Sequence, residues 1–268
     1  MNTLCRCKPL LGTYVEISIS ADASDERLIT TSSLAFDAIY HIESLMSFHN
    51  INSELSKINQ VAFKNGCDIS PETETVLSMC LKLSQMSNGI FDICIAPHLV
   101  NQNLLPQHGF DYDKESSYQD IILSKNHVKF LKALLIDVGG IAKGYAVDQA
   151  MNVIKQQLKG CLVDTIVNAG GDLCMYNWRD KYIEVAQSKQ ATKTIKMQAP
   201  AIATSGSYYL EGKSAIINPL NNKTVDLKSS ISVFANSCML ADGLTKVAAI
   251  TGLNHPIFKN NQALAMQL

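Results

Sequence analysis

The stretch 135–148, LIDVGGIAKGYAVD, constrains this chain more than any other. An apolar run enters a Gly-Gly pair and leaves into a helical pattern over 142–158, which predicts a buried strand, a turn and a helix start. Glycines at such a turn let the backbone approach a ligand, and the unpaired N–H groups of a helix start favour an anion. Lys143 falls in the first turn, where a cation opposes the helix dipole. Beside Asp137, that placement points to binding; the bland alternative is an ordinary strand–turn–helix with a surface lysine. The segment is not a Walker-type phosphate loop, because Tyr145 follows Gly144, and it is not G-x-G-x-x-G.

Two more apolar runs end in small-residue turns: VNAGGDL at 167–173 and IATSGSY at 202–208. Each alone is common turn chemistry. Together with Gly139-Gly140 they fit a long ligand with a phosphate-rich middle. Asp242 and Lys246 stand i,i+4 at or near a helix start, with Thr245 on the same side. A structural ion pair and a set of oxygen ligands for Mg²⁺ are both open there.

Around these turns the periodicity is mixed. Alternation over 12–19 predicts a half-buried strand. A helix begins at Asp25, a possible cap, with Leu28, Leu34, Ala35, Ala38, Ile42, Leu45 and Met46 as its apolar stripe. Ser70-Pro71 opens a second helix over 71–87. Residues 106–120 read as a surface loop. Short apolar runs at 134–138, 164–168, 182–186, 201–204, 214–217 and 231–235 read as strands, and 238–250 as another helix. Strands and helices without regular alternation indicate an α+β domain, and no linker or repeat divides it.

The 268 residues suffice for a large core, with 47% hydrophobic residues, 14 glycines and 7 prolines, which excludes a disordered or collagen-like chain. A net charge of −1 removes any general electrostatic case for nucleic acid or an acidic membrane surface. No stretch reaches the roughly 18 apolar residues of a membrane helix. The first residues show no secretory signal, so a cytoplasmic location is expected, with an exported protein trimmed of its leader as the alternative. The eight cysteines read as buried free thiols in a reducing compartment; Cys5-x-Cys7 lacks a second pair to complete a zinc site. None of the six histidines makes a Ser/His/Asp or H-E-x-x-H arrangement, and only His49, just past an amphipathic helix, is placed to face a site.

Taken in order, seven stretches resemble the ApbE family of FAD:protein FMN transferases: LLGTYVEI, LMSFHNINSELSKIN, SNGIFDICIAP, LLIDVGGIAKGYAVD, VNAGGDL, ATSGSYY and SVFANSCMLADGLTK. They run from residue 10 to residue 246, and the central block is the most specific. The resemblance implies one ApbE-like domain over 1–268, with mixed, largely antiparallel sheets packed against helices. It implies cleavage of FAD, with FMN passed to a Ser or Thr hydroxyl of an acceptor protein and AMP released. The alternatives are a catalytically weak flavin-binding protein and a pyrophosphatase yielding FMN and AMP.

Carried over from the family, the flavin site comprises Leu11, His49, Ile90, Phe91, Asp92, Asp137, Lys143 and Ile216. The metal position comprises the Gly140 carbonyl, Asp242 and Thr245, with Mg²⁺ as the ion. Asp242 and Lys246 are the expected catalytic pair. The sequence departs from the family pattern twice. Lys246 stands where many relatives place a metal-ligating threonine, so its ammonium either takes the cation's place or points away. Ala215, in Lys213-Ser214-Ala215-Ile216-Ile217-Asn218-Pro219, stands where relatives often carry a histidine suited to act as general base, and Asn218 replaces an acid.

Overall fold

The N-terminal alternation folds as a hairpin in which β1 (Asn2–Leu10) pairs antiparallel with β2 (Thr13–Ala21). In this computed structural model, residues 1–186, 192–206, 215–227 and 229–268 are described. Val15, Ile17, Ile19 and Ala21 of β2 are fully buried, whereas Tyr14 on the other face is exposed. The two-residue loop puts both Leu11 (φ +57°) and Gly12 (φ +69°) in the left-handed region, the turn class that matches strand twist. A leucine there is unusual. Its N–H donates to the Glu43 carboxylate at 2.9 Å, which ties the turn to the next helix.

That helix is α1 (Asp25–Met46). Its cap is Ser24, not Asp25: the Ser24 hydroxyl accepts from the Arg27 N–H, and Asp25 is the first helical residue. Leu28, Ala35, Ile42 and Met46 are buried as expected, but Leu34 is exposed, and Phe36 and Ile39 complete the buried face in its place. α2 (Glu54–Asn65) follows, then β3 (Cys67–Asp68) and α3 (Pro71–Met86), which Ser70 caps with Pro71 in the first turn. A 3-10 turn at Ile93–Ile95 leads into α4 (Ala96–Asn101). β4 (Ile121–Ser124) and β5 (His127–Phe130) join β3 in a small sheet of order β3-β5-β4, after an irregular stretch over 106–117.

The second half begins with α5 (Ala142–Gln157), then β6 (Leu162–Ala169) and β7 (Asp172–Tyr176). The hairpin β8 (Tyr182–Ala186) and β9 (Thr192–Lys196) precedes β10 (Ala201–Ser205). After the short β11 (Ile217–Asn218) and β12 (Lys223–Thr224) come β13 (Ile231–Ala235), α6 (Cys238–Thr251), α7 (Pro256–Asn260) and β14 (Leu264–Gln267). The run expected at 214–217 is a strand only from Ile217, and residues 207–214 lie outside the described residues. Among the described residues, seven strands form the main sheet, in the order β1-β2-β6-β7-β10-β13-β14, with antiparallel pairing throughout. This is an α+β fold. Helices α1, α5 and α6 cover one face, while the β8–β9 hairpin closes a second small core over Leu173, Ile202 and Phe234. β13 is therefore buried on both faces and is apolar except for Ser232, whose hydroxyl lies 2.8 Å from that of Thr204.

One expected strand is not a strand. Residues 134–138 are extended and largely buried but join no sheet. Their backbone groups find other partners. The Asn59 side chain of α2 accepts from the Ile136 N–H at 2.9 Å and donates to its carbonyl at 3.0 Å, and the Asp137 N–H donates to the Ile93 carbonyl. A buried backbone must be paired, and one amide side chain does here what a neighbouring strand does elsewhere.

Cys67, Cys80, Cys94, Cys174 and Cys238 are buried free thiols as expected, whereas Cys161 is half-buried. Cys5 and Cys7 are exposed on β1 because alternate residues of that outer strand face solvent. Among the described residues, no helix is long and apolar enough to cross a membrane.

Candidate active site

The floor of the site is the junction of α5 with α6. A Cβ on Gly144 would lie 2.3 Å from the Cys238 carbonyl oxygen, so only glycine lets the two helix starts meet. The Gly144 N–H donates to Asp242 Oδ2 at 3.2 Å. Four residues on, the Asp148 carboxylate accepts from the Cys238 and Met239 N–H groups at 2.8 and 2.9 Å and so caps α6 from outside. Burial pushes this carboxyl up to about 6 in spite of those bonds. Sequence reasoning passes over Asp148. Its one signal is an acid placed a helical turn after the glycine.

Two lysine–carboxylate pairs lie on this floor. Lys143 pairs with Asp172, the first residue of β7, and Lys246 pairs with Asp242 one turn back on α6. In both pairs the acid is behind and the base in front. Asp172 and Asp242 side chains are 2% and 1% exposed, against 29% and 22% for Lys143 and Lys246. Burial works against the charged form of Lys143, but Asp172 and Asp242 more than offset it and hold the ammonium above its usual range. Asp172, wholly buried and beside a second carboxylate, is pushed up to about 6 although Lys143 and Lys246 pull the other way. Asp242 is also wholly buried, yet Lys246, Lys143 and the Gly144 N–H together keep its carboxyl below the usual value. In the sequence, Asp172 is visible only as part of a Gly-Gly-Asp turn.

Above this floor lie two adjoining cavities of about 390 and 370 Å³. Ile90, Phe91, Asp92, Gly140, Ile216 and Lys246 line the first. Leu11 and His49 line the second, and Asp137, Gly139 and Lys143 are common to both. Every residue expected to hold the flavin thus faces one of two adjoining spaces. His49, in the turn after α1, is exposed at the second. Asp92 accepts from the Cys94 and Tyr118 N–H groups at 2.9 and 3.1 Å, and burial raises its carboxyl in spite of them. Asp137 accepts from the Gly139 N–H at 3.1 Å, and burial brings it up to about 6 against that bond and the nearby His49 and Lys246. Thr204 and Ser205 at the end of β10 line the first cavity, as does the exposed Ala215. Ser207 and Tyr208 of the third expected turn lie outside the described residues.

The fold places Asp242 and Thr245 on α6, with the Lys246 stem between that helix and Gly140, and the side-chain oxygens of both already have protein partners. Asp242 Oδ1 holds the Lys246 ammonium, and Oδ2 takes the Gly144 N–H. The Thr245 hydroxyl donates to the Asp242 carbonyl at 2.7 Å and lies 2.8 Å from the Ser205 hydroxyl. The Lys246 stem runs over Gly140, where a Cβ would come within 3.3 Å of its Cε. Among the described residues no cluster of three or more His, Cys, Asp or Glu side chains is arranged to hold a metal ion. A small, hard cation requires free oxygens, and these side chains do not fit one.

A model of the ApbE family matches residues 11–263. The chain belongs to the ApbE family. Among curated relatives it is 27% identical to a FAD:protein FMN transferase of Vibrio cholerae over 79% of this chain and 70% of the relative. It is 28% identical to one of Chlamydia pneumoniae over 89% of this chain and 79% of the relative. Among solved structures, the ApbE protein of Thermotoga maritima superposes with a TM-score of 0.83 at 21% identity, covering 99% of this chain and 94% of the other. The flavin transferase ApbE of Vibrio cholerae gives 0.81 at 22%, covering 99% and 93%. At these identities the structures establish a shared ApbE fold.

Proposed function

We propose that this ApbE-family chain is a FAD:protein FMN transferase acting from a single domain over residues 1–268. The observation that carries the reading is the pair of adjoining cavities with a common floor of Asp137, Gly139 and Lys143. A dinucleotide fits such a site with an end in each cavity and its pyrophosphate over the Gly-Gly turn. The names of the curated relatives support the same reaction.

In that reaction an acceptor Ser or Thr hydroxyl attacks the phosphorus on the FMN side. A new P–O bond forms, the bridging P–O bond breaks, AMP leaves with the bridging oxygen, and the hydroxyl proton passes to solvent. Negative charge gathers on the phosphate oxygens as the bond breaks, and the Lys143 and Lys246 ammonium groups are the cations at hand. Leu11 and Ile216 contribute apolar contact, and Asp92 and Asp137 contribute acceptors or, when protonated, donors to the flavin end. His49 offers a flat ring at the edge. The Asp242 carboxylate, which the family resemblance gives to Mg²⁺, is taken up by Lys246 and the Gly144 N–H. Unpaired thiols throughout accord with a reducing, cytoplasmic setting.

Ala215 favours a second reading. It lines the cavity without any group able to take a proton, and loss of a general base lowers rates by roughly 10²–10⁴-fold. A protein that holds FAD and transfers it slowly or not at all accords with that feature. Incubating the protein with FAD, with and without a flavin-acceptor domain, and reading intact masses decides between them. An FMN-sized gain on the acceptor establishes the transferase. AMP released without an acceptor indicates a pyrophosphatase, and FAD bound without AMP indicates a carrier.

A further inference from the structure

We infer that Lys143 and Lys246 together form a built-in counter-charge for a ligand's pyrophosphate, with the Lys246 ammonium holding the place of a divalent cation. The inference rests on the flavin reading above and deepens it. Three observations carry it. Lys143 and Lys246 line one cavity beside Gly139 and Gly140, where the backbone lies open to a ligand. Asp172 and Asp242, the carboxylates that hold them, are buried behind, so of these two pairs the cavity sees the ammonium groups, with Asp92 and Asp137 as the acids on its wall. Lys246 contacts the Asp242 carboxylate and also donates to the Asp242 carbonyl at 3.2 Å, so its head is fixed by two oxygens of one residue.

The arrangement is a charged layer with its positive side toward the ligand. The acids neutralise the lysines overall, which lets two cations sit close together, while orientation leaves their fields acting on the cavity. A bound Mg²⁺ is screened from its ligand in the same way by the carboxylates that hold it. The difference is that a lysine is covalently part of the chain, so no chelator removes it.

The test uses the full-length protein without metal. FAD and inorganic pyrophosphate are titrated in EDTA and again in Mg²⁺ by calorimetry, and Mn²⁺ binding is followed separately by electron paramagnetic resonance. Wild type is expected to bind FAD and pyrophosphate in EDTA within about threefold of the affinity in Mg²⁺, and to leave Mn²⁺ free. Lys246→Thr, which frees Asp242 Oδ1, is expected to bind Mn²⁺ and to lose about tenfold in FAD affinity in EDTA, with recovery in Mg²⁺. Lys246→Arg keeps the charge and is expected to stay insensitive to EDTA, which controls for damage to α6. Stoichiometric Mn²⁺ binding by wild type, or pyrophosphate binding that requires metal, overturns the inference. Pyrophosphate bound in EDTA with no FAD binding under any condition leaves the inference standing and removes the flavin reading.

Discussion

The two lysine–carboxylate pairs look alike in composition and differ in how they are built. Lys246 and Asp242 are neighbours on one helical face, so α6 alone brings them together. Lys143 and Asp172 stand 29 positions apart and meet only when α5 packs on the start of β7. The first pair is local and its acid is held below the usual carboxylate range; the second is tertiary and its acid is raised to about 6. What sets the two acids apart is their surroundings: Asp242 has both ammonium groups and the Gly144 N–H, whereas Asp172 has a second carboxylate beside it. The tertiary pair ties the site to the packing of the sheet, and its acid yields first to protons.

The most severe way to break the comparison is Gly144→Ala. The added methyl group meets the Cys238 backbone and forces apart the helices that carry Lys143 and Asp242. A loss of about 3 kcal/mol in urea unfolding is expected, with both pairs weakened together. A loss below about 1 kcal/mol shows that the two helix starts can separate without cost to the fold.

Acid separates the pairs next. The folded carboxyl of Asp172 is raised, so its contribution to stability is complete below the unfolded value of 3.8 and is lost as pH rises through about 6. That of Asp242 is lowered, so its contribution is present above 3.8 and is lost as pH falls through its folded value. Asp172→Asn is therefore expected to gain on wild type between about pH 4 and pH 7 of a urea series, and Asp242→Asn to gain on wild type only below about pH 4. Parallel curves for the two variants would erase the distinction.

The smallest expected effect concerns ligand binding. Asp137, common to both cavities, becomes charged as pH rises through about 6 and then opposes an anionic ligand. FAD affinity is expected to fall by about three- to tenfold from pH 5 to pH 8 in wild type, and less in Asp137→Asn. An unchanged slope in the variant moves the pH dependence to the other raised carboxyls of the site, Asp92 on the cavity wall or Asp172 behind Lys143.

The sequence makes some of this visible and hides the rest for definite reasons. Turns announce themselves through glycine, so Gly139-Gly140 and Gly170-Gly171 mark the floor of the site from residue order alone. The i,i+4 spacing of Asp242 and Lys246 makes that pair legible too. Lys143 is legible as a lysine in the wrong place on a helix, but its partner is not, because the contact with Asp172 is fixed by helix-on-sheet packing that no local pattern encodes. Residues 134–138 read as a strand because burial on all sides and extension look the same whether a strand or a side chain pairs the backbone. Asn59 is one of several polar residues on α2, and nothing near it in sequence announces the role. At the other extreme, 231–235 is a strand both in pattern and in fact, since β10 and β14 flank it.

The Asn59 bracket has a dynamic consequence. Ile136 and Asp137 are not in register with any strand, so the exchange of their amide protons is expected to follow the Asn59 and Ile93 contacts and not the strand pairing of the main sheet. Ile136 instead is protected by one side chain of α2, and Asp137 by the turn that begins at Ile93. The wall of the ligand site thus shares its hydrophobic core with the main sheet but takes its backbone bonds from α2 and the Ile93 turn.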